Sequence, residues 1–94
     1  MIRSFADAET ALVWSGRRSR GLPADIQAVA LRKLRMLNQA RRLLDLRIPP
    51  GNRLERLKGD REGQYSVRIN QRWRICFTWG EGGPAHVEII DYHG

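Results

Sequence analysis

The spacing of hydrophobic and polar positions changes period along this chain, and the changes mark its elements. Residues 1–5 are short and mixed and predict an opening strand. Asp7 is placed to cap a first helix over 8–15, since its carboxylate can accept from unpaired amides one turn in and suits the positive helix end. That helix fails at Gly16, and Arg17-Arg18-Ser19-Arg20-Gly21 follows as a basic loop. A longer helix starts at Pro23, whose missing N–H has no partner at a first helical position anyway. Ile26, Val29, Ala30, Leu37, Ala40 and Leu44 fall on one face at helical spacing, with Arg35 and Arg42 opposite. Lys33 projects from near the apolar face and is expected to bury its stem while its ammonium reaches water. Pro49-Pro50-Gly51 sets the helix end near 45–47.

From Asn52 onward the period falls to two. Residues 53–57 predict a strand with Leu54 and Leu57 inside, and Gly59 and Gly63 bracket a turn that needs positive φ. Tyr65, Val67 and Ile69 alternate with Ser66 and Arg68, and the chain then turns tightly through Asn70-Gln71. Trp73, Ile75, Phe77 and Trp79 share one face; Arg74, Cys76 and Thr78 share the other. After a turn over 80–84, Ala85, Val87 and Ile89 mark a last strand running to His93. The order predicts an α+β fold over residues 1–94 as a single domain. Two N-terminal helices pack on one face of a mostly antiparallel sheet of four to five strands.

Charge sharpens this picture. Seventeen basic residues against ten acidic give a net charge of +7, and all the basic residues but Lys33 and Lys58 are arginine. Arginine presents a planar fork that matches phosphate oxygens in pairs and stacks on bases, which points to a nucleic acid. An acidic protein partner would suit the same charge. Cys76 is the lone cysteine, so it is expected to be a buried thiol without a disulfide. No 18-residue apolar span occurs, and the N-terminus turns polar too soon for a secretory signal, so a cytoplasmic protein is expected.

Four features carry candidate chemistry. Asp91-Tyr92-His93 near the C-terminus offers a histidine able to exchange a proton at neutral pH, although a solvated tail reads the same way. Lys58, Arg68 and Arg74 form a possible cation cluster: in a hairpin the two arginines leave the apolar layer on one face. Such fixed charge is what phosphoryl chemistry on RNA needs, and an ordinary solvated face is the alternative. Tyr65, Trp73 and Trp79 share parity with core positions, which leaves Tyr92 as the better base-stacking candidate. His86 stands alone without metal-ligand spacing and reads as a surface residue; zinc, P-loop, dinucleotide and Ser-His-Asp motifs are absent from the sequence.

Met1-Ile2-Arg3-Ser4-Phe5, Pro50-Gly51-Asn52-Arg53-Leu54, Leu57-Lys58-Gly59-Asp60-Arg61-Glu62-Gly63, Trp73-Arg74-Ile75-Cys76-Phe77 and Asp91-Tyr92-His93 together resemble the HigB toxins of the RelE/ParE superfamily. The resemblance runs nearly end to end and in order. It implies a RelE-like fold and a toxin of a type II toxin–antitoxin system that cuts mRNA in the A site of the small ribosomal subunit. The implied reaction needs no metal or other cofactor: the 2′-hydroxyl attacks its own phosphodiester. By the same resemblance Lys58 and Arg74 balance phosphate charge, His93 handles a proton, and Asp91 orients it or meets RNA. Tyr92 then stacks on the A-site base, and Arg68 joins the RNA-binding face. Some relatives carry a histidine in the strand before Lys58; here that stretch is Arg53-Leu54-Glu55-Arg56-Leu57, and either Glu55 replaces the histidine as a base or the position is dispensable. The implied partner is a HigA-type antitoxin with a helix-turn-helix domain, which Arg17, Arg18 and Arg20 are expected to help bind. No membrane is implied. The related ParE toxins act on DNA gyrase without cutting RNA, and a plain RNA-binding module is a third reading.

Overall fold

The structure is a computed structural model that describes residues 1–92; His93 and Gly94 lie outside the described residues. Helix α1 spans Ala8–Trp14, and Asp7 caps it as expected, its carboxylate accepting from the Thr10 amide at 2.7 Å. Helix α2 spans Ala24–Gln39. Strands β1 (Glu55–Arg56), β2 (Tyr65–Arg68), β3 (Trp73–Gly80) and β4 (Gly83–Asp91) form an antiparallel meander in the order β1-β2-β3-β4. Two helices followed by this sheet make the expected α+β arrangement. Among the described residues no helix is long and apolar enough to cross a membrane.

The core lies between the helices and one sheet face. Val13 of α1 and Ile26, Ala30, Leu34 and Leu37 of α2 pack on Val67, Ile75, Phe77, Val87 and Ile89. Period-two alternation delivers those strand residues to one face, and the aromatic parity holds: Tyr65, Trp73 and Trp79 pack against the same cluster. A polar side chain ties the layers together, since the buried Thr10 hydroxyl accepts from the Ile89 amide at 3.0 Å.

Four local expectations are corrected. The opening segment makes a single parallel bridge, Phe5 with Val87, instead of a full strand. Helix α2 stops at Gln39, well short of 45–47. The Asp45 carboxylate captures the amides of Arg41 and Arg42, each at 3.0 Å, and those are amides a continued helix would have donated to its own carbonyls. A 3₁₀ turn, Leu43–Arg47, follows instead; it buries Leu46 and leaves Leu44 exposed rather than on the core face. The predicted strand over 53–57 shrinks to two residues because Arg53 adopts a left-handed backbone, φ 44°, ψ 58°. Lys33 does not send its ammonium to water: Nζ donates to Asn52 Oδ1 inside the protein, and both residues are buried. Burial, with Arg32 and Arg68 nearby, holds the Lys33 ammonium below the usual lysine range.

Candidate active site

The site is built from the β2–β3 hairpin outward. Asn70 Oδ1 accepts from the Arg72 and Trp73 amides, both at 2.8 Å, and this local turn fixes the register of the hairpin. In that register Arg68 sits directly across from Arg74, so the two guanidiniums rise from one sheet face as the alternation predicts. The face is not plainly solvated. Ser66, Arg74 and Cys76 on it are buried, and burial pushes the Cys76 thiol up to about 11.

Arg74 is held on two sides. Its Nε donates to Ser66 Oγ at 2.7 Å; Nη2 donates to the Arg53 carbonyl at 2.5 Å and, more weakly, to the Ser66 carbonyl at 3.4 Å. The remaining nitrogen, Nη1, faces the Glu55 carboxylate at 3.7 Å. The Tyr92 ring lies under the guanidinium, 5.5 Å from Cζ to the ring centroid, close enough for a cation–π contact. A charged fork is thus fixed through Nε and Nη2, and its Nη1 edge is turned toward a cleft.

Two adjoining cavities form that cleft. One, of 380 Å³, is lined by Arg53, Glu55, Arg68, Asn70, Gln71, Arg74 and Tyr92. The other, of 470 Å³, takes in Lys58, Arg56, Asp60 and Arg61, and it shares Glu55 and Tyr92 with the first. Lys58 is exposed, in extended backbone just ahead of the 3₁₀ turn Gly59–Arg61. Gly59 (φ 66°) and Gly63 (φ 91°) take the positive angles that bend this segment over the sheet. Of the anticipated residues, Lys58, Arg68, Arg74 and Tyr92 therefore line one continuous cleft, and Glu55 stands at its centre.

Asp91 belongs to a different set. Register places it beside Trp73, on the opposite face of the sheet from Arg74. Its carboxylate takes a bidentate grip from Arg72, with Nε at 2.8 and 2.9 Å and Nη2 at 2.6 Å, and this pairing raises the Arg72 pKa. The neighbouring Tyr92 amide donates to the Arg72 carbonyl at 2.6 Å, so Arg72 fastens the chain just where Tyr92 emerges. His93 lies outside the described residues.

Sequence reasoning missed Ser66, Asn52 and the Arg53 carbonyl, all of which hold this site together. For Asn52 a signal was available: a lone carboxamide immediately after Pro49-Pro50-Gly51, at the break between helical and alternating pattern. A cavity of 260 Å³ between α1 and α2, lined chiefly by Val13, Ala24, Ala28 and Leu31, has only Arg17 and Arg18 as charged groups and offers no proton-transfer residue.

Comparison with known proteins gives this geometry a family. Residues 3–93 match the family model described as the RelE-like toxin of the type II toxin–antitoxin system HigB. Toxin HigB-1 of Vibrio cholerae is 44% identical over 66 residues, which cover 70% of each chain. Endoribonuclease HigB of Proteus vulgaris is 33% identical over 98 residues, covering 99% of this chain and 100% of the relative. With two helices, an antiparallel meander and a match spanning nearly its whole length, this chain belongs to the HigB family of RelE-like toxins of type II toxin–antitoxin systems.

Proposed function

We propose that the chain is a ribosome-dependent endoribonuclease that cuts mRNA by driving attack of the RNA's own 2′-hydroxyl on the adjacent phosphodiester. The observation that carries this reading is the anchored Arg74, whose Nη1 edge meets the same cleft as Glu55, Tyr92 and Lys58. Negative charge grows on the phosphate oxygens in the transition state, and fixed donors aimed at it stabilise that state without reorganising. Arg74 and Lys58 supply them. Glu55 takes the proton from the 2′-hydroxyl as O2′ bonds to phosphorus. The bond from phosphorus to O5′ then breaks, and His93 gives a proton to the departing O5′. The products are a 2′,3′-cyclic phosphate and a 5′-hydroxyl. General acid–base help of this kind is worth roughly 10²–10⁴-fold, and alignment of the 2′-hydroxyl adds to it.

Tyr92 provides a stacking face for the base beside the cut, and Arg68 meets a neighbouring backbone phosphate. Asp91 acts through its grip on Arg72, which fixes the end of β4 and so the start of the segment carrying Tyr92 and His93. A type II toxin has an antitoxin partner. For this chain we take that partner to be of the HigA kind, with a helix-turn-helix domain, drawn by the net charge of +7. Both ribosome and antitoxin place the chain in the cytoplasm.

Primer extension on a reporter mRNA after brief induction tests the reading, alongside a gyrase supercoiling assay. New mRNA ends within codons, with gyrase unaffected, are expected; inhibited gyrase with intact mRNA would move the chain to ParE-like action. Undiminished cleavage by His93→Ala removes His93 from the mechanism, and the same result for Glu55→Gln removes Glu55.

A further inference from the structure

We infer that Lys33 and Asn52, a buried pair outside the cleft, are positioning residues that aim the Arg53 carbonyl at Arg74 and thereby set the orientation of its guanidinium. The inference rests on the role given to Arg74 above.

Arg53 adopts a left-handed backbone, φ 44°, ψ 58°, which is strained for a residue other than glycine. Such a conformation persists only where the surroundings over-determine it. Here they do so from the preceding residue. Asn52 is 1% exposed, and its Nδ2 donates to the carbonyls of Leu46 at 3.1 Å and Ile48 at 3.3 Å. Its own amide donates to the Pro49 carbonyl at 2.9 Å, and the Arg53 amide to the Pro50 carbonyl at 3.1 Å. The two carbonyls only accept, so they take Nδ2 and leave Oδ1 facing α2. Lys33 supplies the donor that this buried oxygen needs, so the carboxamide is satisfied at both ends and held in one place.

The chain of contacts then runs from α2 to the cleft. Lys33 pins Asn52 to the helix, Asn52 fixes the turn Pro50–Asn52, and the turn hands Arg53 on with its carbonyl directed at Arg74 Nη2. If Arg53 relaxed to negative φ, its carbonyl would swing away and Nη2 would lose its closest anchor. The guanidinium would then pivot about Nε, and Nη1 would no longer hold one direction toward the phosphate. A buried lysine is an expensive way to fill a helix–loop contact. A leucine would pack as well but would leave Asn52 Oδ1 buried without its donor, and the turn would lose its tie to α2.

The test is a double-mutant cycle on cleavage of a reporter mRNA by purified toxin in a ribosomal assay, read at a temperature where every variant is folded by circular dichroism and binds its antitoxin. Lys33→Met is expected to slow cleavage about tenfold alone and to add nothing in an Arg74→Met background, since its effect passes through Arg74. A merely structural loss would instead add in both backgrounds, and that result overturns the inference, as does full activity in Lys33→Met. Should Arg74→Met itself cleave normally, the reading of Arg74 fails and this inference with it. If Lys33→Met does not fold, isosteric Asn52→Asp, which loses both Nδ2 donations, replaces it in the same cycle. A loss of cleavage that vanishes in the Arg74→Met background then supports the inference, and an additive loss or full activity overturns it.

Discussion

Replacing Arg74 by lysine keeps the charge and removes the fork, which makes it the sharpest probe of the cleft. Arg74 feeds three acceptors, Ser66 Oγ, the Arg53 carbonyl and the Ser66 carbonyl, and Ser66 is wholly buried. One ammonium on a flexible stem can satisfy part of this set but cannot span it in a plane. At least one acceptor is left without its charged donor, at a cost of about 1.5–3 kcal/mol. For a domain of this size each kcal/mol lowers Tm by roughly 4–8 °C, so a fall on the order of 10 °C is expected. The catalytic effect is separate. An ammonium drawn inward to those acceptors withdraws the donor edge from the cleft, and loss of one preorganised donor costs about 10²–10³ in rate. Thermal unfolding gives the first quantity and single-turnover mRNA cleavage, run well below the melting range of the variant, gives the second. Cleavage by Arg74→Lys within threefold of wild type would show that charge alone suffices and that the anchored geometry has no catalytic consequence. An unchanged Tm would refute the argument about the buried acceptors.

The other expectations draw on separate contacts. Tyr92→Phe keeps the ring under Arg74 and should cleave nearly as wild type, whereas Tyr92→Ala loses base stacking worth about 1–3 kcal/mol and should raise KM for RNA at least several-fold. Asp7→Ala removes the cap of a seven-residue helix and should destabilise by about 1 kcal/mol in urea titration, with the m-value unchanged. Cys76 should resist iodoacetamide in the native protein at pH 8 and react on denaturation, because burial keeps its thiol protonated. The same shift has a signed effect on stability. The folded thiol holds its proton more tightly than the unfolded one, so its contribution is complete below about pH 9 and is lost as pH rises through about 11. Cys76→Ser or Cys76→Ala should flatten the alkaline limb of a stability–pH profile; an unaltered limb would count against the assignment.

What could be read from sequence, and what could not, follows from how far apart the deciding atoms lie along the chain. The β2–β3 hairpin was legible because parity is local: Val67 with Ile75 and Arg68 with Arg74 follow from period two and a tight turn at Asn70. The same rule misses β4 at one residue. His86, exposed as expected, takes φ 52° where the pairing slips between Cys76 and Thr78, so Pro84 pairs with Trp79 and Ala85 with Thr78. Ala85 therefore loses the parity it shares in sequence with Val87 and Ile89, and no pattern of apolar residues announces a single extra residue. The end of α2 was hidden for a related reason, since Asp45 competes for amides that helical periodicity assigns to the backbone. In the cleft the division is chemical. Lys58, Arg68, Arg74 and Tyr92 were legible because cations and an aromatic ring off the core face are conspicuous. The anchor of Arg74 was not, because every residue has a carbonyl and the one at Arg53 is distinguished only by its direction. Direction is written in the residues that bend the chain, so a buried Asn52 after two prolines and a lysine on the apolar side of α2 are the trace that such an anchor leaves. A long polar side chain on a core-facing helical position is better read as a question about what backbone it holds in place than as a stem on its way to water.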